Sequence, residues 1–197
     1  MSILNGLVGY WKLDELSGQI KDSSGKGHHT NLLSGVTLGV DGKINKCATF
    51  ASANLARIPF HTDFNYSTFS ICAWYKIDNG DVYVGDRVIF AQKDWYDGQT
   101  QMPYSFEISY GFTQIRYNKN GGSSEQVGDG SAQRTPVGEW HHVAVTFSPT
   151  QVIFYYDGAL TANNTGTTYP VYGQKISPMS ADPFGIGVCC SPFFNKF

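Results

Sequence analysis

The residue types best suited to ligand chemistry lie together in one polar segment, Lys93–Met102, with the sequence KDWYDGQTQM. Trp95 and Tyr96 offer flat rings, and Asp94 and Asp97 offer carboxylates on both sides of the pair. Aromatic rings can stack on the apolar faces of sugars, and neighbouring carboxylates accept hydrogen bonds from hydroxyl groups. Because adjacent aromatic residues are uncommon in a polar surface loop, the segment predicts a glycan-binding loop.

Three residues of the strands that follow are predicted to complete this site, namely Tyr104, Arg116 and Tyr117. Tyr169 and Tyr172, in a later polar segment, are secondary candidates. The alternative is that the rings of the loop fold back onto a sheet and serve only as part of the core.

Catalytic chemistry is not predicted from the acidic and histidine residues. Glycoside hydrolysis needs two carboxylates roughly 5–9 Å apart, and neither Glu107 nor Glu139 has an acidic partner on its own predicted strand. His141 and His142 are adjacent on a strand, so they point to opposite faces and cannot bind one ion together. The sequence also contains no nucleophile elbow, phosphate loop or metalloprotease motif. We therefore expect a protein that is not an enzyme.

Calcium ligands, which are carboxylate, amide and carbonyl oxygens, are available at several turns. None of these turns has the spacing of an EF-hand, and each one can be explained as a turn alone. The candidate sets are Asp14 with Asp22, then Asp78 with Asn79 and Asp81, and finally Asp94 with Asp97.

Composition narrows the class of protein. The chain has 197 residues, of which 15% are aromatic and 15% charged, and its formal net charge is −2. The charged fraction lies below the roughly 25% typical of soluble proteins, which favours sheets and stacking surfaces. Without a basic surface, nucleic-acid binding is not expected. No apolar run approaches the ~18 residues of a membrane span.

The N-terminal segment and the cysteines indicate in which cellular compartment the chain is made. The sequence MSILNGLVGYWKLDE lacks the basic region and apolar core of a signal peptide, which predicts synthesis in the cytoplasm. We expect Cys47, Cys72, Cys189 and Cys190 to be reduced and structural, with a Cys47–Cys72 bridge as the alternative.

The clearest structural signal is a predicted hairpin within Gly138–Gly158. Apolar residues occupy both alternating sets of Trp140–Phe147, which predicts a strand buried on both faces. Val152–Tyr156 is a second β-branched and aromatic run. Asp157-Gly158 then supplies the dipeptide typical of a tight hairpin turn.

Further short strands are predicted along the chain, and the longest of them, Thr68–Ile77, should be central in its sheet. Asn118–Pro136 and Thr161–Ser180 are predicted loops, and no amphipathic helix of three turns is found. This pattern predicts an all-β, antiparallel sandwich or jelly roll. The other predicted strands are Gly6–Leu13, Ile44–Phe50, Leu55–Ile58, Arg87–Gln92, Ser105–Ile108, Gln114–Tyr117 and Phe184–Val188.

The chain resembles the laminin-G-like, concanavalin A-like lectin–glucanase family in seven stretches that follow the family order. The resemblance implies a two-sheet, antiparallel β-sandwich of the concanavalin A-like jelly-roll type, as one domain over residues 1–197. The stretches are GLVGYWKLDELSG (Gly6–Gly18), DSSGKG (Asp22–Gly27), KCATF (Lys46–Phe50), TFSICAWYKI (Thr68–Ile77), GEWHHVAVTF (Gly138–Phe147), YYDG (Tyr155–Gly158) and FGIG (Phe184–Gly187).

The same resemblance implies non-catalytic recognition of glycans or proteins and, in many members, a calcium ion near the sheet rim, for which Asp22 is the expected ligand. Family members usually add a closing strand after the FGIG-like stretch. Here CCSPFF, at residues 189–194, takes its place. The closing strand is therefore expected to be replaced or supplied by a partner.

Two functional hypotheses follow. The first is a lectin-like module on a particle or cell surface that binds a glycan or a host-surface receptor. The second is a viral or phage structural protein, such as a capsid decoration, spike or tail-fibre component, with protein assembly partners on the virion surface or, after assembly, outside the cell. A fragment of a larger extracellular protein is a further alternative to both.

Overall fold

The structure, a computed structural model, describes residues 5–64, 66, 68–78, 86–92, 104–118, 124–130, 135–148, 150–165 and 184–187. Within these residues it contains β-strands and one short 3-10 helix, Thr62–Phe64. The strands are β1 Leu32–Asp41, β2 Lys46–Ile58, β3 Phe69–Lys76, β4 Asp86–Gln92, β5 Tyr104–Ser109, β6 Phe112–Asn118, β7 Ser124–Gly128, β8 Trp140–Ser148, β9 Gln151–Tyr156, β10 Ala159–Thr165 and β11 Phe184–Ile186.

The strands form two antiparallel sheets. The larger sheet has the order β1-β2-β11-β4-β5-β6-β7, and the smaller has the order β10-β9-β8-β3. Every strand pair described is antiparallel, and β11, from the end of the described chain, lies between β2 and β4. The predicted all-β jelly-roll sandwich is therefore confirmed.

A single apolar core cluster joins the two sheets. Phe147 and Phe154 enter it from the smaller sheet, and Phe106, Ile115 and Phe184 enter it from the larger one. Each of these side chains is at most 2% exposed. Burial of one such side chain is worth about 2 kcal/mol, so the core gives both sheets a firm support for residues on their outer faces.

The predicted hairpin is confirmed as β8 and β9. Strand β9 connects to β10 through Asp157 and Gly158, whose φ angles of 48° and 79° are those of a type I′ turn. Only one face of β8 is buried, with Val143, Val145 and Phe147 inward, while the other face is partly exposed. The prediction of burial on both faces is therefore wrong, because nothing among the described residues covers the outer face of this sheet.

The position of Thr68–Ile77 also differs from its prediction. It forms β3, which pairs only with β8 among the described strands and so ends the order of its sheet. Cys72 and Trp74 on its outer face are exposed. A long apolar strand thus lies at a sheet edge, with half of its side chains turned to solvent.

Other differences concern the first third of the chain. Gly6–Leu13 is extended but not a strand, and its one bridge joins Trp11 to Asp22. The predicted strands Ile44–Phe50 and Leu55–Ile58 are one continuous strand, β2. Strand β1 was not predicted, since its glycines and two irregularities in its pairing with β2 interrupt any alternation.

Two predicted loops contain strands. Ser124–Gly128 within the segment Asn118–Pro136 forms β7, which pairs with β6 and completes the larger sheet. Ala159–Thr165 carries β10 into the segment Thr161–Ser180. Both strands lie at the edge of a sheet and pair through their backbones, so their side chains can be polar. The polar composition therefore resembled that of a loop.

Candidate functional site

Three aromatic side chains stand on the outer face of the smaller sheet. Trp74 on β3 is 44% exposed, while Trp140 and His142 on β8 are partly buried. Trp74 pairs directly with His142, and their rings meet edge to face with centroids 5.3 Å apart. We call Trp74, Trp140 and His142 the aromatic platform.

Strand geometry explains why the aromatic platform faces outward. Successive side chains of a strand point to opposite faces, and Tyr75 and Val143 are buried in the core. This turns their neighbours Trp74 and His142 away from the core. Trp140 precedes His142 by two residues and therefore shares its face, as a diagonal neighbour of Trp74 within reach of an aromatic side chain.

Two lysines bring positive charge to the aromatic platform. The Lys43 Nζ lies 5.2 Å from the ring centroid of Trp74, and the Lys76 Nζ lies 5.7 Å from that of Trp140. Lys76 also makes a 2.7 Å ion pair with Asp78. These distances suit cation–π contacts, which hold the ammonium groups above the rings.

A shallow cavity of about 570 Å³ opens over the same residues. Its size falls within the roughly 300–1,000 Å³ range of small-ligand sites. Aromatic side chains, a cation and a carboxylate all line it. Its lining residues are Lys43, Trp74, Trp140, His142, Asp157 and Gly158.

Asp157 fixes one end of the cavity. Its Oδ1 accepts a 2.8 Å hydrogen bond from the backbone N–H of His142, and its Oδ2 lies 2.8 Å from Nδ1 of His141. Burial acts to raise the pKa of Asp157, but the hydrogen bonds from His141 and His142 outweigh it, so the pKa lies below its usual value. The carboxylate is therefore ionised at neutral pH and holds the strand that carries His142.

The predicted opposite orientation of the two histidines is confirmed. His141 is 7% exposed and stacks on Tyr156 with ring centroids 4.8 Å apart. His142 belongs to the aromatic platform. Only His142 is therefore available to a ligand.

The centre of the predicted glycan-binding loop lies outside the described residues. This applies to Asp94, Trp95, Tyr96 and Asp97. The secondary candidates Tyr169 and Tyr172 also lie outside the described residues. Their roles stay predictions.

Tyr104 and Tyr117, the predicted companions of that loop, require a correction. They are 3% and 1% exposed, and both belong to the core cluster. Tyr104 packs against Phe69 and Tyr117 against Phe147. A ring enclosed in this way offers no free face to a sugar, so both tyrosines have a structural role.

Arg116 lies on the face of the larger sheet opposite to the core. Its Nε is 2.6 Å from Oε1 of Glu107, which is 1% exposed. The Gln114 side chain donates a hydrogen bond to the same oxygen, and the Ser105 hydroxyl lies 3.3 Å from Oε2. Arg116 therefore neutralises a buried acid, and this contact is separate from the aromatic platform on the smaller sheet.

Asp22, the expected calcium ligand, is surrounded by hydrogen-bond donors. Its Oδ1 accepts from the backbone N–H groups of Tyr10 and Ser24, at 2.9 and 2.8 Å. Its Oδ2 accepts from the Ser24 hydroxyl at 2.7 Å and from the His28 N–H at 3.0 Å. Four bonds fill the lone-pair positions of a carboxylate, so the geometry assigns Asp22 to the turn.

The remaining calcium candidates are less well described. Asp78 is in an ion pair with Lys76, while Asn79, Asp81, Asp94 and Asp97 lie outside the described residues. Calcium binding as such stays a prediction.

Two of the four cysteines are described, and both are free thiols. Cys47 is partly exposed and Cys72 is exposed. Partial desolvation of the two sulfur atoms raises the pKa of both thiols, which keeps them protonated at neutral pH. The reduced state predicted for this pair is confirmed, and the alternative Cys47–Cys72 bridge is wrong. Cys189 and Cys190 lie outside the described residues.

The aromatic platform was missed in the sequence, although a signal for it exists. In Trp140–Phe147 the alternation separates Trp140 and His142 from Val143 and Phe147. Apart from His141, one set is apolar, while the other contains tryptophan, histidine and threonine, which is the composition of a half-exposed binding face. Trp74 carries no such signal alone, because its orientation depends on its pairing with β8.

The face-to-face sheets and the exposed aromatic face define a jelly-roll β-sandwich. A family model, Laminin_G_3, described as the concanavalin A-like lectin/glucanases superfamily, matches residues 50–187. The chain belongs to this family, and the resemblance seen in the sequence is confirmed. No relative of the chain is found among curated proteins.

Solved structures with the same fold include receptor-binding domains of bacterial toxins. The binding domain of Paraclostridial Mosquitocidal Protein 1 superposes with a TM-score of 0.73 at 14% identity, over 99% of this chain and 47% of that one. The binding domain of botulinum neurotoxin DC was solved with rat synaptotagmin II (TM-score 0.68, 14% identity, 99% and 46% covered). The same domain was also solved with SialylT, with a TM-score of 0.67 at 13% identity, over 96% of this chain and 45% of that one.

The chain thus spans about half the length of each of these binding domains. At these identities the likeness shows the fold alone. Among the described residues, no helix has the length and apolar character needed to cross a bilayer.

Proposed function

We propose that this chain is a non-catalytic recognition module that binds glycans, and acidic glycans in particular, on the aromatic platform. The observation that carries the proposal is the exposure of Trp74 beside Trp140 and His142 on one sheet face. A tryptophan left 44% exposed has an apolar surface that a ligand would cover with a gain of free energy.

The charges around the aromatic platform support an acidic ligand. Lys43 is not in any ion pair described for this structure, so its ammonium group is available to a carboxylate. The charge of Lys76 is partly neutralised by its ion pair with Asp78. A sugar ring stacked on Trp74 would therefore place an acidic substituent near Lys43, where a charge-assisted hydrogen bond can form.

Relatives of the same fold add support. The binding domain of botulinum neurotoxin DC was solved with SialylT and with synaptotagmin II, so both glycan and protein ligands occur among domains that contain a sandwich of this fold. Because the present chain covers less than half of those domains, receptor binding by the chain itself is part of the proposal. The described acids Glu107 and Asp22 are held in structural contacts, which fits a non-catalytic role.

A protein ligand is the second candidate. An exposed tryptophan with flanking charges is also typical of an interface hot spot. The viral or phage assembly role would be one form of this candidate, and it stays a prediction.

Replacing Trp74 with alanine is expected to weaken glycan binding about tenfold or more, because the stacking surface is lost. The measurement is a glycan array with sialylated glycans and their neutral counterparts, followed by titration of the best ligand. Tyr66→Ala, which removes an aromatic ring of similar exposure outside the platform, is the matched control and should bind normally. Trp95→Ala tests the predicted loop in the same experiment.

The outcomes separate the alternatives. Loss of binding in Trp74→Ala but not in Trp95→Ala supports the aromatic platform, and the reverse result places the site in the loop. Lys43→Ala should reduce binding of sialylated glycans and leave the neutral counterparts unaffected. If the wild-type chain binds no glycan on the array, the glycan proposal is wrong and the protein ligand becomes the leading candidate.

A further inference from the structure

We propose that His28, His61 and Asp63 form a binding site for a zinc ion. One ring nitrogen of each histidine and one carboxylate oxygen of Asp63 all lie within 4.8 Å of one another. This cluster is separate from the aromatic platform and contains none of the residues in which calcium was predicted.

The distances in the cluster suit a tetrahedral ion. Nε2 of His28 lies 3.2 Å from Oδ2 of Asp63, and Nδ1 of His61 lies 3.2 Å from Oδ1 of Asp63. Zinc bonds to nitrogen and oxygen are about 2.0–2.1 Å long, which separates two ligand atoms of a tetrahedron by about 3.3 Å. Rotation of the exposed His61 ring, which gives up the hydrogen bond from the Asp63 N–H to its Nδ1, would bring one nitrogen of each histidine and one oxygen of Asp63 around one ion.

The ligand set favours a transition-metal ion. Two imidazole nitrogens and one carboxylate are ligands that Zn²⁺ accepts readily, and three protein ligands leave a fourth position for water. Calcium requires six to eight oxygen ligands, so this cluster does not suit it. The same ligands also bind Fe²⁺ and Mn²⁺, but Zn²⁺ binds such sets more tightly than either, so zinc is the ion expected here.

The backbone holds His28 firmly in place. Its N–H donates to Asp22, and its ring packs against Phe64 with centroids 4.7 Å apart. The residue is 6% exposed. A buried and oriented imidazole loses little freedom on binding an ion, which favours affinity.

The other two ligands come from one short segment. Asp63 lies in the 3-10 helix Thr62–Phe64, and its N–H is 3.2 Å from Nδ1 of His61. The rings of His28 and His61 are 4.5 Å apart. The segment His61–Asp63 thus presents an exposed imidazole and a half-exposed carboxylate beside the buried imidazole of His28, so an ion can reach the site from solvent.

A bound ion would connect two distant parts of the chain. His28 and Asp63 are 35 residues apart, with β1 and β2 between them. Zinc binds the folded arrangement and has no equivalent site in the unfolded chain, so it should stabilise the fold. The expected role is therefore a structural clamp between the turn that contains His28 and the connection from β2 to β3.

The test uses the full chain after removal of metal with a chelator. Zinc is titrated in competition with a chromophoric chelator, and thermal unfolding is followed with and without zinc. His61→Ala and Asp63→Asn are expected to weaken zinc binding at least about tenfold and to abolish the zinc-induced rise in the unfolding temperature. Both residues are partly exposed, so these variants should fold.

One control matches these variants. Asp41→Asn removes an exposed carboxylate on β1 and should bind zinc as the wild type does. Substitution of Co²⁺ should give the visible absorption of a tetrahedral site.

Equal zinc affinity in the wild type, His61→Ala and Asp63→Asn would overturn the proposal, as would an unfolding temperature that zinc does not raise. The glycan array with the Trp74→Ala variant does not depend on this result, so either proposal can fail alone.

Discussion

Asp22→Ala is expected to lower the free energy of unfolding by about 4 kcal/mol. The carboxylate accepts four hydrogen bonds, three of them from the backbone N–H groups of Tyr10, Ser24 and His28. Alanine would leave these donors without their partner in a turn where Asp22 itself is 6% exposed. Chemical denaturation of the wild type and the variant measures the difference.

The effect of Asp22 should depend on pH. Burial acts to raise its pKa, but hydrogen bonds from Ser24, Tyr10 and His28 outweigh it and place the pKa below its usual value. The unfolded chain then binds the proton more readily than the folded chain. The stabilisation is therefore complete above the unfolded pKa of about 3.9 and is lost as the pH falls through the folded pKa.

Asp14→Ala is the control for this prediction, because Asp14 lies in the same loop region without a described hydrogen bond. Its effect should stay within about 0.5 kcal/mol. A similar loss of stability in both variants, or a difference between wild type and Asp22→Ala that persists undiminished at pH 2, would contradict the structural role of Asp22. Calcium that stabilises the wild type but not Asp22→Ala would return this residue to the predicted metal site.

Glu107→Ala should lower the free energy of unfolding by about 3–5 kcal/mol. Glu107 is 1% exposed and lies 2.6 Å from the guanidinium of Arg116. Removing the acid leaves a cation in a largely buried setting and takes an acceptor from Gln114 and Ser105. The loss of stability is large because the guanidinium of Arg116, on a largely covered sheet face, is poorly solvated without its acidic partner.

Glu139→Ala provides the matched control, since Glu139 is exposed and its one ionic contact, with His141, is long at 4.0 Å. A surface contact of this kind contributes less than about 1 kcal/mol. Glu107→Gln should fall between the two, because it keeps polar contacts but removes the charge. If Glu107→Ala unfolds no more easily than Glu139→Ala, the buried pair is not structural, and a functional role for Glu107 must be considered again.

Much of the fold was predictable where the sequence carries a clean alternation. The β8–β9 hairpin, β11 and the strands Ser105–Ile108 and Gln114–Tyr117 were all predicted, because their apolar periodicity is clear. Strand β1 was not recognised, since Gly35 and Gly39 have positive φ angles and break its pattern. The segment Gly6–Leu13 looked like a strand, although its only described β-pairing is one bridge, Trp11 to Asp22, and its other contacts are turn hydrogen bonds and the packing of Trp11.

The candidate site was less predictable, for a physical reason. An apolar residue on a strand contributes to the core or to an exposed face, and only the pairing of strands decides which. Tyr104 and Tyr117 were assigned to a ligand site but face the core, whereas Trp74 was assigned to a buried strand but faces solvent. The zinc cluster depends on the approach of His28 and Asp63, which no spacing along the sequence reveals.

Ligand binding on the aromatic platform can be tested directly, because the chain contains four tryptophans. The indole N–H signals in a ¹⁵N-labelled sample would be followed during titration with a sialylated glycan. Trp74 and Trp140 should shift, while Trp11, whose Nε1 donates to the carbonyl of His28, should stay in place. Shifts confined to Trp95 would contradict the account and place binding in the predicted loop.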